Sequence, residues 1–147
     1  MNIEKSELAK IQIEKAIDLF LVESDYVCSL TLAGAAEEML GNILHKSNKD
    51  NVLAELLPWY QETHEPNMTY AKLAKGANET RDELKHGHSY PDLSHQVEVS
   101  QPLAAQMIIR ALVNYKYALK KPSEKMIVFY HWMQKNEREV FSEWENT

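Results

Sequence analysis

Cysteine is almost missing from this chain: Cys28 stands alone among 147 residues, so no disulfide can close within it, which fits a reducing compartment. Long apolar runs are missing as well, with nothing near the roughly 18 residues a membrane span needs. The start of the chain has no basic segment followed by an apolar run of the secretory kind, and the expectation is a cytoplasmic protein with no membrane partner. In that setting the triplets Asn67-Met68-Thr69 and Asn78-Glu79-Thr80 carry no glycan meaning. Glycine and proline are scarce, at four and five residues, and no strand period, internal repeat or low-complexity tract breaks the pattern. Positive charge is not in excess either: a net charge of -6 argues against a protein that coats nucleic acid non-specifically.

What is present is helical period almost throughout. With 44% hydrophobic and 26% charged residues, the chain reads as one globular domain over residues 1–147, large enough to bury a core. Ile13, Ala16, Ile17, Phe20 and Leu21 form the stripe of a first helix over residues 6–23. A second opens at Ser24 or Asp25 and carries Leu32, Ala35, Ala36, Met39, Leu40, Ile43 and Leu44. Its run Ala33-Gly34-Ala35-Ala36 has side chains small enough for a neighbouring helix to approach closely. A short helix over residues 52–57 is expected to end or kink at Pro58, with an exposed loop over 59–68. Thr69 opens the next helix, which carries Tyr70, Leu73, Ala74, Ala77 and Leu84 and stops at Gly87. After an aperiodic stretch over 88–100, a fifth helix spans 102–120. Pro122 begins a sixth through 133, and the acidic tail can stay helical through Phe141 and Trp144. The expected fold is all-α, an up-and-down bundle of five or six helices.

The sequence Arg81-Asp82-Glu83-Leu84-Lys85-His86 places an arginine and a histidine five positions apart at the end of a helix. An arginine fork holds phosphate oxygens bidentately. A histidine titrating near neutrality can take and return a proton as a ribose hydroxyl attacks phosphorus. None of the i±3 and i±4 neighbours of Arg81 is an acid, so its charge is expected to be free, whereas Glu83 and Asp82 could orient the ring of His86.

The pattern Arg81-Asp82-x-x-x-His86 resembles the signature of the HEPN superfamily, small all-α proteins in which an arginine precedes a histidine by four to six positions. The resemblance implies a metal-independent endoribonuclease with no cofactor, found in toxins and defence systems, its cleft completed across a homodimer. Arg81 would hold the scissile phosphate, and His86 would serve as general base or acid. Asp82 is part of the motif, and Glu37 is kept as a candidate because an acid on the second helix recurs near such sites. The implied partners are an RNA substrate and an antitoxin or nucleotidyltransferase. Where toxins paired with a minimal nucleotidyltransferase have a tyrosine two positions after the histidine, this chain has His88, with Tyr90 two further on. The alternative is a catalytically silent HEPN-like module that binds a nucleotide or a protein partner.

Other sites compete with this one. Glu83-x-x-His86 is half of a di-iron motif without its second copy, and His86, His88 and His95 lack a compact ligand spacing. The run Phe129-Tyr130-His131-Trp132 offers stacking faces but suits a core or dimer interface better. Arg110, Lys116, Lys120, Lys121 and Lys125 stand against Glu124 alone, the most basic stretch, which reads as a solvated face before it reads as an RNA groove. Glu37 lies opposite the stripe centred on Ala36 and Leu40, where most glutamates are solvated.

Overall fold

In the computed structural model, which describes residues 1–87, 92–118 and 121–142, the chain forms α1 (Lys5–Leu21), α2 (Tyr26–Lys46), α3 (Val52–Thr63), α4 (Tyr70–His86), α5 (Gln101–Tyr117) and α6 (Glu124–Val140). The all-α bundle expected from the periodicity is what the chain forms, with no strand among the described residues. No helix among them is long and apolar enough to cross a membrane.

Local chemistry sets where the helices begin. Asp25, Asn51, Thr69, Ser100 and Ser123 each accept a hydrogen bond from the backbone N–H three residues on, capping α2 to α6. Each such cap is worth about 1 kcal/mol. Gly87 ends α4 with φ 60 and returns its N–H to the carbonyl of Glu83, the left-handed closure that glycine adopts without a Cβ penalty.

The core sits between α1, α2 and α5, where Ile13, Ile17, Leu30, Ala33, Leu40, Ile108 and Ala111 are buried. Small residues allow close approach, and the Ser29 hydroxyl donates to the carbonyl of Ala16 at 2.8 Å across the α1–α2 crossing. α6 closes one side with Met126, Phe129 and Met133; Phe129 meets Phe20 edge-on at 5.5 Å, and Trp132 packs against the same cluster. Phe129 thus belongs to the core. α3 and α4 are packed more thinly: α3 buries only Leu53, and α4 only Leu73 and Arg81.

Two expected boundaries move. α3 runs on through Pro58 to Thr63, so residues 59–63 are helix, not loop. Proline removes one N–H from the ladder, but the turn beyond it is held independently. The Thr63 hydroxyl donates to the Trp59 carbonyl at 2.8 Å, His64 stacks on Tyr60 at 4.7 Å, and Gln61 Nε2 donates to the Met68 carbonyl at 2.8 Å. α6 starts after the Ser123 cap and continues to Val140, well beyond residue 133. Val140 is buried, and its carbonyl accepts from Gln106 Nε2 at 2.8 Å, anchoring the last turn to α5. Trp144 lies outside the described residues.

Tyr117 at the end of α5 donates its hydroxyl to Glu55 of α3. That bond, helped by burial and by the charge of Glu55, pushes the phenol from 10.0 up to about 12. Because the folded value is raised, the contribution to stability is complete below pH 10 and is lost as pH rises from 10 towards 12. An ultraviolet titration of wild type minus Tyr117→Phe should therefore show no tyrosinate step near 10, and Glu55→Gln should restore one. A normal step in the wild type would mean that the α3–α5 bridge does not form in solution.

Candidate functional site

The site begins with a cation on an inward stripe. On α4, Leu73, Ala77 and Arg81 recur at intervals of four, so Arg81 continues the apolar face instead of leaving it. Its stem crosses α2 at Gly34, where a built Cβ would lie 2.5 Å from Cγ and 2.7 Å from Cδ of Arg81. Within Ala33-Gly34-Ala35-Ala36, Gly34 thus takes the stem of Arg81 while Ala33 and Ala36 are buried in the core.

Arg81, a residue 7% exposed, donates from Nη1 to Glu37 Oε2 at 2.9 Å. The expectation of a free charge on Arg81 is corrected: its acids lie 44 positions away and at the adjacent position, outside the i±3 and i±4 neighbours. Glu37 is only 4% exposed and also accepts from Arg110 Nη2 at 2.9 Å on its other oxygen. The expectation of a solvated Glu37 therefore fails, and the period explains why. Ala33, Glu37, Leu40 and Leu44 are spaced 4, 3 and 4 apart, and all four are buried. Asp82 accepts from Arg81 Nε at 2.9 Å and Nη2 at 2.8 Å, so its carboxylate is held by Arg81.

Arg110, 8% exposed, also donates to the Ala77 carbonyl at 2.9 Å and to the Asn78 side chain. Beside it, Asn114 donates to the Glu37 carbonyl at 3.3 Å and accepts from the Val52 N–H at 2.9 Å. Sequence reasoning missed Arg110 and Asn114 as site residues. The available signal was their placement, i and i+4, among the buried Met107, Ala111 and Tyr115 of α5: polar groups on a core stripe require buried partners. Arg110 therefore leaves the expected basic face. Lys125 is paired with Asp18, and Lys120 lies outside the described residues.

His86 ends α4 and is exposed. Five residues advance a helix by about 140° beyond a full turn and about 7.5 Å along its axis, so Arg81 faces inward while His86 faces out. Of the four expected site residues, the fold gathers Arg81, Asp82 and Glu37 but not His86. The charge of His86 is felt at Glu38. A hydrogen bond from Lys85 holds the Glu38 carboxyl below its ordinary range, burial opposes this, and the charges of Arg81, Lys85 and His86 add to it. Glu38 and Lys85 border a shallow hollow of about 350 Å3, together with Lys5, Asn42 and Lys46. His88 and Tyr90 lie outside the described residues, and among those described no group of three or more histidine, cysteine or acidic side chains could hold a metal ion.

A larger feature lies on the other side of the arginines. A groove of about 850 Å3 runs between the α3–α4 pair and α5, walled by Leu53, Trp59, Leu73 and Met107, with Arg81 and Arg110 at its base. No protein-family model, curated protein or solved structure matches this chain.

Proposed function

We propose that the chain is a HEPN-like helical module that binds a partner in the groove based on Arg81 and Arg110. In this reading, the Glu37–Arg81–Arg110 network forms the fixed base of a binding site. One observation carries it: both edges of the Arg81 guanidinium are held by carboxylates, leaving it poorly placed to seize a scissile phosphate, while an apolar groove of ligand size opens alongside. Gly76 lines that groove, and a Cβ built there meets nothing within 4 Å, so a side chain can start there without a clash and Gly76→Trp should obstruct the groove. Anilinonaphthalene sulfonate should bind wild type at one site, and Gly76→Trp should weaken it at least about tenfold. Equal binding by both proteins would overturn this reading.

A ribonuclease reading has its own supporting observation, the exposed His86 beside Lys85, which borders the hollow with Lys5 and Lys46. Three lysines against Glu38 suit a phosphate backbone. In a homodimer His86 would take the proton of the 2′-hydroxyl as that oxygen attacks phosphorus, with Arg81 exchanging Asp82 for the phosphate; the P–O5′ bond would break, the departing 5′-oxygen would receive a proton from the imidazolium, and a 2′,3′-cyclic phosphate would remain. Cytoplasmic RNA would be the substrate, and an antitoxin or nucleotidyltransferase the regulator. Under this reading, cleavage of total RNA survives EDTA and falls roughly a hundredfold or more in His86→Ala. No cleavage by wild type, or light scattering that gives the monomer mass of 17.0 kDa, would remove it.

A further inference from the structure

We infer that the occupant of the groove is a single-headed amphipathic acid, a carboxylate on an apolar body, with its head against Arg110 and its chain along Leu53, Leu73 and Met107. The inference rests on the groove being the binding site. Its physical basis is a mismatch of charge at the base. Arg81 has two carboxylates, Glu37 and Asp82, whereas Arg110 has one oxygen of Glu37 and two neutral acceptors, the Ala77 carbonyl and the Asn78 side chain. The Nε–H of Arg110 is buried and has no hydrogen-bond partner. A buried donor left unmatched is unfavourable, and a carboxylate is the acceptor that matches a guanidinium best.

The walls add to this. The charged groups lining the groove are Lys72, Arg81 and Arg110 against Glu137. With Glu37 and Asp82 behind the arginines the charges stand three against three, so the groove draws an anion only at the incompletely matched Arg110. It does not suit a polyanion, because the remaining wall is largely hydrocarbon: Leu30, Leu56, Ile109 and Val113. That wall favours an apolar body over a peptide backbone, whose buried amides would go without acceptors. The volume of about 850 Å3 lies within the usual roughly 300–1,000 Å3 for small-molecule sites.

Dodecanoate and dodecanol, both below their aggregation concentrations, separate head from chain. By calorimetry on the full chain, dodecanoate should bind one to one, dodecanol at least about tenfold more weakly, and Gly76→Trp should lose both. Glu37→Gln deprives both arginines of their shared carboxylate. Its melting temperature should rise more with dodecanoate than the wild type's, with no such gain from dodecanol, a result that mere hydrophobic uptake cannot produce. Equal affinity for acid and alcohol would overturn the inference while leaving the groove reading intact. So would binding of an acidic amphipathic peptide, or displacement of dodecanoate by dimer formation, with the occupant then a protein segment or a second copy. Dodecanoate binding that Gly76→Trp leaves unchanged places the acid elsewhere and overturns the inference; if the sulfonate probe behaves the same way, the groove reading falls too.

Discussion

Replacing Glu37 with alanine is expected to cost the fold about 3–5 kcal/mol, because it strips two buried guanidiniums of their common carboxylate. Arg81 would keep Asp82, but Arg110, 8% exposed, would be left with the neutral Ala77 carbonyl and Asn78. Against a usual total of about 5–15 kcal/mol this is a large share, and at about 3 °C per kcal/mol it lowers the melting temperature by about 10–15 °C. Arg81→Ala should cost less, about 1–3 kcal/mol, since Glu37 retains its bond from Arg110 at 2.9 Å. Urea unfolding of the two variants tests the order. If Glu37→Ala stays within about 1 kcal/mol of wild type, the network is solvated and the buried-base argument fails. The ranking also bears on activity. Loss of function in Arg81→Ala mixes chemistry with stability, whereas exposed His86 can be removed without disturbing the core, so His86→Ala is the cleaner probe of the ribonuclease reading.

The helices were legible because each carries both a stripe and a start signal. Asp25, Thr69 and Pro102 mark the beginnings of α2, α4 and α5 to within a residue or so. Pro58 misled because the rule for proline inside a helix concerns one lost bond, whereas α3 is held past it by Thr63, His64 and Gln61, whose contacts no local pattern reveals. The candidate site was legible by residue and not by role. Arg81, Asp82 and Glu37 were singled out, yet their pairing spans 44 positions between Glu37 and Arg81, and local spacing reports only neighbours within about four. Arg110 read as part of a basic stretch because charge counted along the chain ignores which helix face bears it. A wheel drawn for α5 puts Arg110 among Met107, Ala111 and Asn114, all buried, and would have recovered it.

Gly34 offers the sharpest test of how Arg81 is seated. In a helix interior, glycine to alanine ordinarily gains up to about 1 kcal/mol, and Gly76→Ala should do so, since its Cβ meets nothing within 4 Å. Gly34→Ala should do the opposite. Its Cβ would stand 2.5 Å from Cγ and 2.7 Å from Cδ of Arg81, mid-stem atoms that cannot swing aside while the guanidinium is tied to Glu37 and Asp82. Relief requires shifting α4 or breaking those bonds, and an overpacked site of this kind costs about 1–3 kcal/mol, leaving a net loss of about 1 kcal/mol after the helical gain. In an Arg81→Ala background the obstruction is gone, so the same Gly34→Ala change should become stabilising by about 0.5–1 kcal/mol. This reversal of sign is a coupling well above the few tenths expected of independent sites. A double-mutant cycle by chemical denaturation measures it directly. If Gly34→Ala stabilises the wild type as Gly76→Ala does, Arg81 does not lie over α2 in solution, and the groove loses the fixed cation at its base.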